Sequence, residues 1–372
     1  MNGQKVLGII FSNSNDESLA KLTEMRTMGS VPFCARYRLI DFPLSAMVRN
    51  GMTQVGIVTK SNFKSLMDHI GTGKPWDLAR KNGGMFLLPP FNQEARDRDQ
   101  TVLDSLYNNR EFIRQSNQEY VLLSSTNTVT NVDLSDMFDF IEKNQADAVI
   151  LTAKGKKPNI KDTLVITATD SDGRITDAVL DEQADEEVLY STNVILIKKY
   201  ILETAIDNAY SRNKHHFIKD IIMERLDTLK IYSYSPDVFT YTIDSLQSYF
   251  DMSMSMLDSD VRKKLFSPSR PVYTKVRDDM PVVYGPNAKI TNSLVADGCI
   301  VEGTVENSIL FRGVKVKPGA VVKNSIIMQD STISANASVE YLIADKNVFI
   351  KEKVDMKGAA NYPICISKNS II

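Results

Sequence analysis

The strongest constraint on the fold of this chain is an apolar repeat that begins after about Ser267. Apolar residues recur there every five or six positions, a spacing that fits neither a helix, with its period of about 3.6, nor a strand, with its period of about two. The residues with this spacing are Val295, Ile300, Val305, Leu310, Val316, Val322, Ile327, Ile333 and Val339. A hexapeptide repeat of this kind predicts short strands joined by tight corners.

A second repeat in the same region indicates the length of one structural unit. Asn-Ser followed by an aliphatic residue begins at Asn292, Asn307 and Asn324, so the copies are offset by 15 and 17 residues. This offset approximates one three-sided coil of a parallel β-helix. Because a single coil cannot bury its apolar edge, coils must stack, and an open terminal edge is available to a partner subunit. The alternative is an irregular antiparallel β domain.

Residues 6–250 have a different pattern, in which short apolar runs alternate with helical periods. The runs typical of strands are 6–11, 55–59, 120–123, 148–152 and 194–197, and the helical patterns are 102–115 and 135–144. This alternation predicts an α/β domain with a doubly wound, mostly parallel sheet and ligands at the carboxyl ends of its strands.

Segment 71–99 interrupts this alternation. It holds the single tryptophan, Trp76, and lacks a clear period, so we predict a long loop over one edge of the sheet. We divide the chain into an α/β domain (1–250), a linker (251–280) and a β-helix domain (281–372).

Composition excludes several classes of partner and site. The chain has 372 residues with 44 basic and 46 acidic side chains, and its net charge of −2 offers no broad cationic face for a nucleic-acid polymer. Its cysteines, Cys34, Cys299 and Cys365, are widely spaced and support neither a disulfide framework nor a zinc site. No apolar run approaches the roughly 18 residues of a membrane span. We expect a cytoplasmic protein that binds small molecules or protein partners.

Several sequence blocks resemble one family of enzymes. Segment 37–45 reads Tyr-Arg-Leu-Ile-Asp-Phe-Pro-Leu-Ser, and Asn-Gly-Met at 50–52 and Val-Gly-Ile-Val-Thr at 55–59 follow it. These blocks resemble the sugar-nucleotide pyrophosphorylases, and more narrowly bacterial glucose-1-phosphate adenylyltransferase, also called ADP-glucose pyrophosphorylase. Segments 214–220 and 292–316 are similar to the same family. The resemblance implies a nucleotidyltransferase-type α/β domain followed by a left-handed parallel β-helix.

The resemblance also implies that catalytic groups of the family are missing. The family's glycine-rich loop holds a triphosphate against backbone amides, whereas the corresponding loop here has no glycine and carries Ser18 at the position of the family's arginine. Met28 replaces a lysine, and Asp181 lies near the place of the lysine that binds the sugar phosphate. Asn127 and His216 replace the two aspartates that hold magnesium, and both are poor ligands for that ion.

These losses predict a degenerate site that holds no metal and has little or no activity of its own. In this respect the chain is similar to the GlgD-type regulatory subunit of the family. The resemblance implies a heterotetramer with a catalytic paralogue that makes ADP-glucose for glycogen biosynthesis. It also implies no cofactor for this chain and magnesium in the catalytic partner.

Two arginines are candidates for binding an effector. Arg26 and Arg38 stand at positions that resemble the family's effector region, where a sugar phosphate would bind. The alternative for Arg38 is a structural ion pair with the nearby Asp41.

Two other functions stay open from the sequence. The first is a weakly active adenylyltransferase in which Asp104, Asp133 or Asp136 replaces the lost metal ligands, and release of pyrophosphate by the chain alone would favour it. The second is a stand-alone sugar-phosphate sensor that uses the two arginines, and binding without any paralogue would favour it.

Overall fold

The structure, a computed structural model, describes residues 2–90, 101–181 and 187–372. Its α-helices are α1 (Asp41–Arg49), α2 (Lys64–Ile70), α3 (Val102–Asn108), α4 (Arg110–Gln115), α5 (Leu134–Lys143), α6 (Lys199–Ser211), α7 (Leu246–Ser255) and α8 (Ser259–Leu265). The 3-10 helices are Gly3–Lys5, Asp16–Leu22, Met28–Ser30, Lys74–Trp76 and Met223–Arg225, and Phe217–Ile222 is a π-helix. No helix in the described ranges is long and apolar enough to cross a membrane.

The α/β domain is built around one twisted sheet. The strands of this domain are β1 (Val6–Phe11), β2 (Pro32–Phe33), β3 (Tyr37–Arg38), β4 (Gln54–Val58), β5 (Gly84–Leu88), β6 (Tyr120–Ser125), β7 (Thr128–Thr130), β8 (Ala148–Gly155), β9 (Leu164–Thr169), β10 (Ile175–Leu180), β11 (Val188–Lys198), β12 (Ile231–Tyr234) and β13 (Thr240–Thr242). The main sheet has the order β10-β9-β11-β6-β1-β4-β5; β8 joins it by pairing with β11, and β12 pairs with β8.

The centre of this sheet is parallel, as the alternating pattern predicts. β1 lies between β4 and β6 and is parallel to both, while β11 is antiparallel to β6 and β8. Every residue of β1 is buried, because apolar clusters cover both faces of the sheet. An uninterrupted apolar run such as Val6–Phe11 is typical of a strand in that position.

The prediction of a long loop over 71–99 is wrong for part of that segment. Gly84–Leu88 forms β5, which pairs in parallel with β4 at the edge of the sheet, and Trp76 is buried against the ring of His69. A run of five residues at an edge has no period of its own, so sequence alone gives a weak signal. Residues 91–99 lie outside the described residues.

The C-terminal domain is a stack of short strands in three parallel sheets. Its strands are β14 (Val283–Tyr284), β15 (Lys289–Thr291), β16 (Leu294–Val295), β17 (Ile300–Val301), β18 (Thr304–Glu306), β19 (Ile309–Leu310), β20 (Lys315–Val316), β21 (Val321–Lys323), β22 (Ile326–Ile327), β23 (Thr332–Ile333), β24 (Ser338–Glu340), β25 (Leu342–Ala344), β26 (Phe349–Ile350), β27 (Asp355–Lys357) and β28 (Ile364–Ile366). Each sheet takes every third strand, which is the architecture of a left-handed β-helix.

The sequence repeats correspond to the coils of this helix. Leu294 pairs with Ile309, and Ile309 pairs with Ile326, which reproduces the offsets of 15 and 17 residues. The three asparagines of the Asn-Ser repeat have φ of 42°, 44° and 46°. Asparagine tolerates this left-handed conformation better than most residues, so it turns the chain at a corner of each coil.

The two domains share one apolar core. The segment predicted as a linker, 251–280, contains the end of α7, all of α8 and an extended stretch. Tyr249 and Met256 pack in one cluster with Phe311 and Met328 of the β-helix, and the hydroxyl of Tyr249 donates to the carbonyl of Pro32 at 2.6 Å. The β-helix is therefore packed directly against the α/β domain.

Candidate functional site

A cavity of about 290 Å³ opens at the carboxyl ends of β1, β4 and β6. This is the edge of a parallel sheet where α/β proteins bind their ligands. Phe11, Leu123 and Ile195 supply apolar wall, and the polar lining includes hydroxyl, amide, ammonium and imidazole groups. The polar residues that line it are Asn13, Ser14, Asn15, Thr59, Lys60, Thr101, Ser105, Ser125, Lys161, Asp162, Asn193, His215 and His216.

The loop after β1 is held by hydrogen bonds from its own side chains. The Oδ1 atom of Asn13 accepts from the backbone N–H of Lys60 at 2.7 Å, and its Nδ2 donates to Asn62 at 2.9 Å and to Asp16. The carboxylate of Asp16 also accepts from the backbone N–H of Met28 at 2.8 Å. Burial raises the pKa of Asp16, against the lowering effect of these hydrogen bonds. The backbone N–H of Met28, on this side of the site, is therefore already bonded to a carboxylate of the protein itself.

Ser18 and Met28, which the resemblance to the family sets at the positions of two cations, supply no charge. Ser18 donates from its hydroxyl to the carbonyl of Asn15 at 2.8 Å, within the short helix Asp16–Leu22. Met28 is fully buried in the apolar cluster between the domains. Neither side chain can balance the charge of a phosphate.

Asn127 lies in the turn between β6 and β7 and is fully buried. Its Oδ1 accepts from the hydroxyl of Ser125 at 2.5 Å, while its Nδ2 has no hydrogen-bond partner among the described residues. A buried amide whose N–H group is unbonded does not fit a magnesium ion, which requires oxygen ligands.

His216, the other residue at a magnesium position, is exposed. Its Nδ1 lies 3.4 Å from a carboxylate oxygen of Asp162, and the neighbouring His215 lies 3.1 Å from Asp104. In the part of the chain that the structure describes, no group of three or more histidine, cysteine or acidic side chains could hold a metal ion. The residues present therefore do not fit the magnesium that the family's reaction requires.

Asp181 serves a local structural role. Its two carboxylate oxygens accept from the backbone N–H groups of Asp162 at 3.0 Å and Thr163 at 3.1 Å, and the Nζ of Lys157 lies 3.8 Å away. Asp162 has a φ of 58°, so this carboxylate stabilises a turn in a left-handed conformation. Asp181 is not among the residues that line the cavity.

The structure places Arg26 and Arg38 between the two domains. Arg26 is 2% exposed and forms a bidentate ion pair with Asp345 of the β-helix, at 2.8 and 2.9 Å. The guanidinium of Arg38 donates to the carbonyl and hydroxyl of Ser65, and burial lowers its pKa to about 10. Both side chains are bonded within the protein.

Asp41 contacts the backbone of Arg38, and the structure shows no hydrogen bond between the carboxylate of Asp41 and the guanidinium of Arg38. The carboxylate of Asp41 accepts from the backbone N–H of Arg38 at 3.0 Å and lies 2.6 Å from the Nε2 of His69. Lys346, which sequence reasoning did not select, belongs to the same cluster. Burial, followed by the charges of Arg38 and Arg26, lowers its pKa to about 6. No local signal could have identified it, since Arg26 and Asp345 are 319 residues apart.

Comparisons with known proteins agree with both domains. A nucleotidyl transferase family matches residues 7–259, and a GlmU-like C-terminal hexapeptide family matches residues 282–358. The chain is 32% identical over 371 residues to glycogen biosynthesis protein GlgD of Bacillus subtilis (strain 168), covering 100% of this chain and 98% of that protein.

Two further relatives have similar coverage. GlgD of Geobacillus stearothermophilus is 34% identical over 323 residues, covering 86% of this chain and 83% of that protein. Glucose-1-phosphate adenylyltransferase of Clostridium botulinum (strain Alaska E43 / Type E3) is 31% identical over 337 residues, covering 88% of this chain and 85% of that protein.

Proposed function

Because this chain belongs to the glucose-1-phosphate adenylyltransferase family, we propose that it acts in glycogen biosynthesis as a regulatory subunit of that enzyme. It would associate with a catalytic paralogue that makes ADP-glucose from ATP and glucose 1-phosphate, most simply in a heterotetramer. The paralogue would hold the magnesium ion, and this chain would need no cofactor. The names of the relatives from Bacillus and Geobacillus support the place in glycogen biosynthesis.

The observation that carries this proposal is the chemistry at the carboxyl end of β1 and β6. A carboxylate, Asp16, accepts from the backbone N–H of Met28, and a buried, uncharged amide, Asn127, stands where the resemblance to the family implies a magnesium ligand. Phosphoryl transfer depends on cations and amides that compensate negative charge in the transition state. The cavity has the ammonium groups of Lys60 and Lys161, but Ser18, Met28 and Asn127 supply no charge where the resemblance implies the family's arginine, lysine and metal ligand, and we therefore infer little turnover.

Regulation through association requires only that the partner surface prefers one state of the catalytic subunit. A coupling free energy of about 1–3 kcal/mol changes an apparent affinity by roughly 5- to 150-fold. The open edges of β14, β15 and β16 at the end of the β-helix offer strand surface for such a contact. Arg26 and Arg38 stay candidates for contact with a sugar-phosphate effector.

The main alternative is a weakly active enzyme that uses other acidic residues. Asp104 caps α3 through Thr101, and Asp133 caps α5 through Ser135. None of the three candidate aspartates lines the cavity. Their positions favour structural roles, and we therefore place the regulatory function first.

The test is an adenylyltransferase assay with Mg²⁺ on three samples: this chain alone, the catalytic paralogue alone, and the two co-purified. We expect little or no activity from the first sample, and a rate or effector response in the third that differs from the sum of the first two. A mixture that behaves as that sum, with no association by size-exclusion chromatography, contradicts the proposal. Pyrophosphate release by this chain alone would establish the alternative. An equal mass of an unrelated protein serves as the control for non-specific stabilisation.

A further inference from the structure

The loop after β1 carries a half-buried carboxylate whose two oxygens both bond to the protein itself. One oxygen of Asp16 accepts from the backbone N–H of Met28 at 2.8 Å, and the other accepts from the Nδ2 of Asn13. Burial raises the pKa of Asp16, while these hydrogen bonds and the charge of Lys60 act in the opposite direction. Because burial of a carboxylate is costly, this group depends on its internal partners.

Two asparagines extend these contacts from the cavity wall to the end of β4. Asn13 lines the cavity, and its Oδ1 accepts from the backbone N–H of Lys60 at 2.7 Å, while its Nδ2 donates to the Oδ1 of Asn62 at 2.9 Å. The Nδ2 of Asn62 donates in turn to the carbonyl of Arg26 at 2.9 Å. Side chains rather than a regular sheet or helix therefore tie segment 13–28 to the neighbouring loop.

The backbone of this segment adopts a conformation that only its surroundings can impose. Ala20 has a φ of 24° and a ψ of −84°, and such values persist in a residue other than glycine where neighbouring contacts fix them. The hydroxyl of Thr23 donates to the carbonyl of Asp16 at 2.5 Å. Leu19 and Leu22 are buried in the apolar cluster between the domains. The segment is thus held at several points without any ligand.

The carboxylate of Asp16 also offsets positive charge at the cavity. Lys60 lines the cavity, and its charge favours the ionised form of Asp16, so the carboxylate reduces the field of Lys60 in return. The second lysine of the lining, Lys161, is followed by Asp162, which lines the same cavity. The two lysines therefore supply no excess of positive charge to a phosphate group, and the backbone N–H of Lys60 is already bonded to Asn13.

From these contacts we propose that Asp16 is an autoinhibitory residue, an internal anion that locks segment 13–28 in place and keeps phosphate-bearing molecules out of the cavity. Asn13 and Asn62 are positioning residues for this lock, because they hold the loop against the end of β4. The inference rests on the proposed regulatory function in one respect: a subunit closed to nucleotide would present the same surface to its partner at any concentration of ATP.

The first test is a calorimetric titration of the full-length chain with inorganic tripolyphosphate at constant ionic strength. We expect little saturable binding by the wild type and an affinity higher by about tenfold or more in Asp16→Ala, because this variant loses a negative charge and frees the N–H of Met28. Asp170→Ala is the matched control, since the carboxylate of Asp170 accepts from the backbone N–H groups of Asp172 and Arg174 in an exposed turn. The control should bind as the wild type does.

The second test is amide hydrogen exchange of segment 13–28, followed by mass spectrometry. We expect slow exchange in the wild type without any ligand, and exchange about tenfold to a hundredfold faster in Asp16→Ala and in Asn62→Ala, because each variant removes hydrogen bonds that hold the segment. If Asp16→Ala fails to fold, the exchange rate of Asn62→Ala decides the result, and a rate equal to that of the wild type contradicts the lock.

Two further outcomes would overturn the inference. One is equal affinity of the wild type and Asp16→Ala for tripolyphosphate, and the other is fast exchange of the wild-type segment that tripolyphosphate slows. The second outcome would mean that a ligand, and not Asp16, orders the loop. Both experiments use this chain alone, so failure of the mixed adenylyltransferase assay would count against the proposed function and leave the lock intact.

Discussion

Asn127 illustrates how one atom type changes what a buried position can hold. Its Oδ1 is bonded to Ser125, and its Nδ2 is buried without a partner among the described residues. A carboxylate of the same shape would replace an N–H donor by an oxygen acceptor and add a negative charge in a space with no cation in hydrogen-bond contact. The identity of this side chain therefore decides whether this buried position is neutral or carries a negative charge.

We predict that Asn127→Asp destabilises the protein without restoring a magnesium site. Burial would raise the pKa of the new carboxyl group. Above that pKa the charged group lowers the free energy of unfolding by about 1–3 kcal/mol, and this loss is relieved as the pH falls through that pKa. Urea unfolding at neutral and acidic pH, with and without Mg²⁺, measures this. Asn193→Asp, which changes a half-buried asparagine on the wall of the cavity at the carboxyl ends of β1, β4 and β6, is the matched control. Recovery of stability on addition of Mg²⁺ would show that the site still holds the metal.

The ammonium group of Lys346 has a pKa that is lowered to about 6, chiefly by burial. In the unfolded chain a lysine titrates near 10.4. Between about pH 6 and that value the unfolded state therefore binds a proton that the folded state does not, and the free energy of unfolding rises with pH.

Lys346→Met removes this titration. We expect the variant to be more stable than the wild type near pH 6, and its stability to rise less between about pH 6 and pH 9. Chemical denaturation across that range measures the difference. Lys351→Met, which changes an exposed lysine of the β-helix, should keep the wild-type slope. An unchanged slope in Lys346→Met would show that this lysine is charged in the folded protein.

Among the structural elements, the β-helix is held together by a ladder of serine side chains. The Oγ of Ser293 accepts from the N–H of Ser308, the Oγ of Ser308 accepts from the N–H of Ser325, and the Oγ of Ser325 accepts from the N–H of Leu342, each at 3.1 Å. Each hydroxyl also donates to a carbonyl two residues before it. This explains why serine, and not only asparagine, recurs in the repeat.

We predict that Ser308→Ala lowers the free energy of unfolding by about 1–3 kcal/mol, because it leaves the buried N–H of Ser325 without an acceptor. Urea unfolding monitored by far-ultraviolet circular dichroism is the measurement. Ser171→Ala, in an exposed turn between β9 and β10, should change the free energy of unfolding by less than about 0.5 kcal/mol. Equal effects for the two variants would mean that the ladder does not stabilise the coils.

For the whole molecule, the contact between the domains includes a buried ion pair within an apolar core. Arg26 and Asp345 are each about as buried as any core residue, with side chains 2% exposed. The apolar cluster around Tyr249 and Phe311 surrounds the same junction. Because charges in such a place are stabilised mainly by each other, loss of either one leaves the other uncompensated.

We predict that Asp345→Asn costs about 3–5 kcal/mol and separates the unfolding of the α/β domain from that of the β-helix. Differential scanning calorimetry should show one transition for the wild type and two for the variant. Asp207→Asn breaks the exposed pair with Arg114 and should leave the unfolding midpoint close to that of the wild type, because solvent screens the pair. A single transition in Asp345→Asn at the wild-type midpoint would refute the coupling.

The parts of the fold that could be predicted are those that depend on the periodic spacing of apolar side chains. The coil length of the β-helix, the parallel centre of the sheet and the strand at Val6–Phe11 depend on side-chain spacing over a few residues, and they follow from the sequence. Strand β5 was missed because its five residues at an edge carry no such spacing. The candidate site positions, Ser18, Met28, Asn127, Asp181 and His216, follow only from the resemblance to the family.

The sequence by itself thus determined the two architectures, because burial of an apolar face imposes a local period. Only the tertiary structure decided what each polar group contacts. The carboxylate of Asp16 accepts from the backbone N–H of Met28, and Arg26 pairs with Asp345. The Nε and Nη2 atoms of Arg312 are buried without a partner among the described residues. Local spacing in the sequence indicates none of these environments. Hydrogen bonds and charges act between groups that the fold brings together, so their partners can be hundreds of residues away in the chain.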